Sequence, residues 1–486
     1  MRVHSRMIFF AARLIPNLLG IIATALLTRL LDPAEYGRYA LGLSITFFLT
    51  IGVFEWLGLS LLRMAPTIKY PDLFFGTVLT CFCSLCGIIA CTAMVALLFG
   101  GNENYLFLIA ACLLATFAAA RFELKQRLQL AELRGAKYFC ASVGRSMVAT
   151  VLVCVVTYIY RSAPLTVLAL AVSYLLGNLV VREARLSLTR LRFNIVVCRD
   201  LMRFGLPLSM SIGLGMILVS VGKWLLQGMA GSEAVGFFTA ATLVTQTPIA
   251  ALASGLGPPA YAMAVEAFES RSPEAANALL AQNLVVLLGI VVPAAAGVTA
   301  LSANIAHLIF GSAYWHTVIL LAPWLSAAAV LSSVQSFYVD IAFQLAHRTV
   351  LLIWTMLFAL ALNVALDIML IPKLGELGAA VGSLGALFGG LVVTAVVSRG
   401  IFRLPIPLVD TAKILASTGI MVVALRVLAK DSGGFVLTSL QIVAGSLIYG
   451  IGMIALNAGG VRQVLTRRIK VACCAAIRVR SARQSG

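Results

Sequence analysis

Across 486 residues the chain holds 61% apolar and only 11% charged side chains, with a mean hydropathy of +1.02. A water-soluble domain carries about 25% charged residues, so this surface cannot face water throughout. The formal charge of +18 would suit nucleic acid, but the basic residues gather between long apolar runs, which marks them as topology signals.

Runs above the roughly 18 residues that cross a bilayer as a helix recur along the whole chain. The short alternating strands of an outer-membrane barrel are absent. The pattern predicts an all-α polytopic membrane protein with fourteen spans, at 7–31, 38–62, 73–99, 104–120, 138–160, 164–181, 204–226, 234–258, 276–301, 317–345, 349–371, 377–398, 411–428 and 435–456. With the N-terminus inside, most of the lysines and arginines fall on the inner side. That asymmetry predicts that both termini are cytoplasmic.

In the first span, Arg2 and Arg6 precede an apolar stretch that ends near Ala23-Thr24-Ala25, as in a signal peptide. The run is too long for a signal core and holds Arg13, Pro16 and Asn17, so it is read as a permanent span. It closes in TRLLDPAEYGRY, residues 28–39, where Pro33 and Gly37 predict a tight interhelical turn. The same pattern returns from Trp224 to Phe238, with Gly37 aligned to Gly236, Tyr39 to Phe238 and Pro33 to Ser232. Such a repeat predicts two related halves, each opening with the same helix–turn–helix, and places both turns on one membrane side.

Span two contains Glu55 between Phe54 and Trp56. In span three, Cys81, Cys83 and Cys86 invite a metal reading, but Cys81 and Cys83 point to different helix faces. No histidine or carboxylate stands nearby to complete a tetrahedral site. They are read as packing residues, with no metal. Span four runs into RFELKQRLQLAELRGAK, residues 121–137, whose charges at helical spacing predict a helix lying on headgroups or capping a bundle end. Span five carries Arg145, and the basic connector from Arg182 to Arg203 marks the boundary between halves.

Span seven carries Lys223 near its outer end. Gly255, Gly257, Pro258 and Pro259 predict that span eight kinks or ends early. Asp340 lies in span ten, toward headgroups or Arg348, and Asn363 and Asp367 share one face of span eleven. Gly378, Gly382, Ala386 and Gly390 form a row of small residues that lets helices approach closely. No P-loop is present, so ATP hydrolysis by this chain is not expected. Spans thirteen and fourteen stand outside the repeat, and the basic tail from Arg462 to Arg483 should attract anionic lipid. The predicted organisation is residues 1–198 and 199–404 as two halves, 405–460 as an extra helix pair and 461–486 as a cytoplasmic tail.

Three stretches carry a family resemblance: RLIPNLLGIIATALLTRLLDPAEYGRYALGLSI from Arg13 on, Phe204-Gly205-Leu206-Pro207-Leu208, and LNVALDIMLIPKLGELGAAVGSL at 362–384. In order and spacing they resemble the polysaccharide-transport proteins, flippases of lipid-linked oligosaccharides. These belong to the multidrug/oligosaccharidyl-lipid/polysaccharide exporter superfamily. The resemblance implies two six-helix lobes around a cavity that opens alternately to each side, plus two C-terminal helices. Where many members carry an Asp-Arg pair late in the seventh helix, this chain has Gly222-Lys223.

A charge within a span costs about 2.5–3.5 kcal/mol on insertion scales, so each needs a cavity, a partner or a route to the headgroups. Arg13, Asn17, Glu55, Arg145, Lys223, Asp340, Asn363 and Asp367 are therefore the candidate cavity residues, with Lys223 and Asp367 placed to pair. The cations would attract a diphosphate, and the acids would couple transport to H⁺ or Na⁺.

The resemblance implies a flippase for an undecaprenyl-diphosphate-linked oligosaccharide in the bacterial inner membrane, working beside a polysaccharide polymerase and needing no cofactor. Alternatives in the superfamily are a cation-coupled drug antiporter and a peptidoglycan-precursor flippase. A polymerase or ligase would hold its chemistry in a large outer loop, and here the outer loops are short. A non-transporting scaffold would leave the intramembrane charges unexplained.

Overall fold

A computed structural model describes residues 2–460 and 462, apart from 66–67, 69, 101–102, 133, 182, 187–190, 271–272, 347, 349, 403 and 429–433. Side chains are described from Ile15 onward except at 96–105, 184, 208, 211 and 257–276. Among the described residues the regular secondary structure is all helical. The helices are α1 (Arg2–Leu30), α2 (Pro33–Leu49), α3 (Glu55–Met64), α4 (Pro71–Gly100), α5 (Glu103–Ala131), α6 (Gly135–Tyr160), α7 (Ala163–Val180) and α8 (Ile195–Ser270). There follow α9 (Pro273–Ala300), α10 (Ser302–Ile309), α11 (Trp315–Val334), α12 (Asp340–Leu345), α13 (Val350–Leu374), α14 (Glu376–Arg399), α15 (Leu408–Leu428) and α16 (Phe435–Ala455).

Among the described residues, twelve helical stretches are long and apolar enough to cross a membrane. One of them, Ile212–Leu256, passes through Gly231, whose φ of 85° breaks the helix. Divided there, and joined by the shorter apolar Ile15–Leu30, these stretches make the fourteen segments expected from hydropathy. Only glycine takes that backbone angle without strain, which is why the turn falls there. The matching turn before α2 uses different chemistry. Asp32 caps the helix by accepting the Glu35 N–H at 2.7 Å, with Pro33 at its first position.

Two expectations change. The backbone of α8 stays helical through Pro258 and Pro259 as far as Ser270. The stretch from Arg121 on does not lie on headgroups: it continues α5, with Lys125, Gln126 and Gln129 buried, and so caps a bundle end. Two helices contain a five-residue π-turn, Thr50–Phe54 between α2 and α3 and Gln335–Val339 between α11 and α12. Each is followed directly by an acid, Glu55 or Asp340.

The chain divides into two compact units. The first comprises Met1–Ala240, Ile309–Thr317 and Met356–Gly382; the second comprises Ala241–Leu308, Val318–Thr355 and the described chain from Ser383 on. Lipid tails are as apolar as leucine, so helix association here rests on close packing rather than release of water. In the first unit α1 packs on α6, and α5 on α7. A cluster around Leu57, Leu61, Phe74, Val78, Leu128 and Leu201 fills the space between α3, α4, α5 and the start of α8. Within the second unit, α15 packs on α9 and α16. Buried Asn304 Nδ2 donates to Gln441 Oε1 at 2.7 Å, and Tyr449 Oη donates to the Gly289 carbonyl at 2.7 Å. The extra C-terminal pair is thereby fixed to that unit by polar contacts as well as packing.

The start of α8 is held against α3 and α4. Ser60 Oγ donates to the Leu201 carbonyl at 2.8 Å, and the Cys81 and Cys198 sulfurs stand 3.6 Å apart, both buried. Copper-phenanthroline treatment of membranes is expected to join Cys81 to Cys198, seen as one cross-linked peptide by mass spectrometry. Failure to cross-link with both thiols present and reduced beforehand would show that α8 does not start against α4.

Candidate functional site

The two related turns meet in the first unit, glycine to glycine. A Cβ on Gly37 would overlap the Ser232 carbonyl and lie 2.9 Å from the Gly236 nitrogen. A Cβ on Gly236 would overlap the Pro33 carbonyl and lie 3.2 Å from the Gly37 nitrogen. The contact is reciprocal, as a pseudo-two-fold relation between the turns requires: each glycine meets the residue aligned with the other's own neighbour. Aromatic rings close around it. Tyr314 meets Tyr36 edge-on at 6.0 Å and Phe237 at 5.5 Å, and Tyr314 and Phe310 are both buried.

Polar side chains without partners occur further along the same helices. Trp224 of α8 meets Phe48 of α2 edge-on at 5.1 Å. The Trp224 indole nitrogen, Gln227 Oε1 and the hydroxyls of Thr50 and Thr239 are buried without hydrogen bonds. Asp367 is fully buried, and neither carboxylate oxygen has a hydrogen-bond partner. It sits where α13 comes close to α8 and α14: a Cβ on Gly222 would lie 3.3 Å from Oδ2, and one on Gly382 would overlap Oδ1. Asn363, one turn earlier on α13, is also buried.

The expected pairing of Lys223 with Asp367 is not formed. The glycine at 222 faces the carboxylate, and Lys223, the next residue, is turned roughly 100° away around the helix. A buried polar group without a partner costs about 1–3 kcal/mol, and an ionised carboxylate far more.

The other candidates are dispersed. Glu55 is ion-paired with Arg127 of α5, a partner the sequence did not reveal. Arg145 is half-buried between rings of neighbouring helices. Its guanidinium lies 4.4 Å from the Tyr174 ring centroid and 5.8 Å from that of Phe122, and donates to Ser146 Oγ at 2.9 Å. That is a cation–π seat within the packing of α5, α6 and α7. Asn17 is exposed on α1, and the Arg13 side chain lies outside the described residues. Asp340 belongs to the second unit, is buried, and keeps one oxygen unpartnered; it makes no ion pair with exposed Arg348. Among the described residues no cluster of histidine, cysteine and acids could hold a metal ion.

Sequence reasoning missed Gln227 and Thr50, and used Trp224 only as a marker of the repeat. Their signal was available: polar residues and an indole about two and a half to three and a half helical turns from the aligned glycines.

A family model described as polysaccharide biosynthesis protein matches residues 26–320. The chain belongs to that family. No curated protein matches it in sequence. Among solved structures it is similar to a lipid II flippase, MurJ, in an inward closed conformation, with a TM-score of 0.75 and 15% identity, covering 95% of this chain and 100% of that one. It is also similar to an inward-facing multidrug resistance MATE family transporter of the MOP superfamily, with a TM-score of 0.61 and 16% identity, covering 80% of this chain and 97% of that one. A MATE structure in the straight conformation gives a TM-score of 0.56 at 17% identity over 82% of this chain and 94% of the other. At these identities the likeness is one of fold. This polysaccharide biosynthesis family member is a multi-pass membrane protein with the MurJ and MATE transporter fold.

Proposed function

We propose that the chain is a flippase, not an enzyme, that carries an undecaprenyl-diphosphate-linked oligosaccharide from the cytoplasmic to the outer leaflet by alternating access. The observation that carries this reading is the family match over residues 26–320, on a chain whose fold covers the whole of a lipid II flippase and not only the shorter MATE transporters. The Gly37–Gly236 contact is the outer gate in its closed state. Lys223, with Arg13 from α1, attracts the diphosphate, and Asp367 with Asn363 couples movement to H⁺ or Na⁺. Asp340 in the second unit is a further coupling candidate; Glu55 and Arg145 are structural. The protein sits in a bacterial inner membrane with both termini cytoplasmic and supplies a polysaccharide polymerase outside.

Deleting the gene is expected to make the lipid-linked oligosaccharide accumulate on the cytoplasmic leaflet, as measured by extraction of the polyprenyl carrier and analysis of its glycan. Accumulation of the peptidoglycan precursor instead would select the alternative within the superfamily. An unchanged carrier pool would remove both.

A further inference from the structure

The segment that leads into α8 uses its charges in two different ways. Two of those before it are paired: Arg185 with Glu132 at 2.7 Å, and Glu183, which accepts from Arg134 at 3.4 Å and Gln129 at 3.3 Å. Lys125 also donates to the Asn178 and Val181 carbonyls at 2.6 and 2.8 Å. Arg199 and Arg203, one helical turn apart on α8, do the opposite. Both are exposed, and neither has a hydrogen bond or ion pair among the described residues.

Their surroundings set the depth. Along α8, Cys198, Leu201, Gly205 and Ser209 face inward and are buried. Val196, Leu206 and Met210 share the outward face with the two arginines and are exposed, as is Phe193 just before the helix. The Arg192 carbonyl accepts from Thr80 Oγ1 at 3.1 Å, and the Asn194 N–H donates to Thr77 Oγ1 at 3.2 Å. Those threonines lie about 9 and 14 Å along α4 from Pro71 at 1.5 Å per residue. The 30-residue α4 is about 45 Å long against a hydrocarbon core of about 30 Å, so centred on that core it leaves about 7 Å of each end among headgroups. The connector therefore crosses α4 just inside the edge of the acyl region, about 2 to 6 Å below the headgroups.

From this placement we propose that the outward face of early α8 is a docking site for acidic phospholipid, with Arg199 and Arg203 holding the headgroup phosphate. Phe193, Leu206 and Met210 lie along the acyl chains. Guanidinium forks suit a phosphate, and the pattern of cations beside bulky apolar residues is that of an interfacial helix. The site holds whatever the cargo is. A lipid seated there would fix the start of α8, the element that carries Trp224 and Gly236, relative to one membrane face.

The full chain, purified into mixed micelles of phosphatidylglycerol and phosphatidylcholine, tests this by native mass spectrometry of retained lipid. The wild type is expected to retain phosphatidylglycerol in preference. Arg199→Gln/Arg203→Gln should lower that preference about threefold or more, since each cation near an anionic surface contributes about fivefold at full strength. Arg199→Lys/Arg203→Lys should keep most of it. Equal retention in the wild type and the glutamine variant overturns the site and leaves the two charges with an insertion role alone. A glutamine variant that keeps phosphatidylglycerol but loses added polyprenyl diphosphate also overturns it, and assigns the pair to the carrier lipid. Gel filtration of each variant confirms the fold, which two exposed substitutions should not disturb.

Discussion

Gly37→Ala is expected to cut surface-polysaccharide export at least tenfold, with the protein still inserted at normal level. The added methyl would have to occupy the position of the Ser232 carbonyl, a backbone atom that cannot rotate aside. Overpacking of this kind costs about 1–3 kcal/mol. If the contact exists in only one of two alternating states, about 2 kcal/mol shifts their ratio roughly thirtyfold away from the closed outer gate. Gly236→Ala should do the same through the Pro33 carbonyl. The double variant should cost little more than either single one, because the first methyl has already separated the turns; sites that share a contact are not additive. A thiol placed at Ser232 reads the outcome directly. It should react faster with an impermeant maleimide in either alanine variant than in the parent. Equal rates, or strictly additive losses of export, would mean that the two glycines are ordinary packing positions and not one gate.

That contact also shows what the sequence could and could not reveal. The spans were legible because bilayer thickness imposes length and composition directly: the run predicted at 435–456 is the helix Phe435–Ala455, and 138–160 lies within Gly135–Tyr160. The aligned glycines were legible as a repeat, and their position in each turn is what lets the turns touch. Partners far apart in sequence were not. Nothing in the order of residues says that Arg127 reaches Glu55, or that Gly222 and not Lys223 faces Asp367, because a rotation of one residue about a helix decides it. The π-turns at 50–54 and 335–339 were equally hidden, since the inserted residue leaves hydropathy unchanged. The seat of Arg145 was hidden as well, because the Tyr174 and Phe122 rings come from other helices.

Asp367→Asn is expected to separate stability from transport. The carboxylate is fully buried and unpartnered, and holding an ion in such a place costs several kcal/mol unless a proton or cation neutralises it. The amide is nearly isosteric and carries no charge, so the variant should unfold at the same temperature as the parent or higher. Replacement of buried ionic groups by neutral ones commonly gains about 1–4 kcal/mol. Export should nevertheless fall at least tenfold, because an amide cannot take up and release a proton or balance a cation. Asp367→Glu is the sharper control. It keeps the charge but needs room for a further methylene where Gly222 and Gly382 already close on the carboxylate, so it should fail as well and also lose stability. Thermal unfolding of the purified protein and export measured in the same strains decide the matter together. An asparagine variant that exports normally would reduce Asp367 to a tolerated cost of helix packing. One that unfolds several degrees lower would instead show that an unseen partner holds the charge.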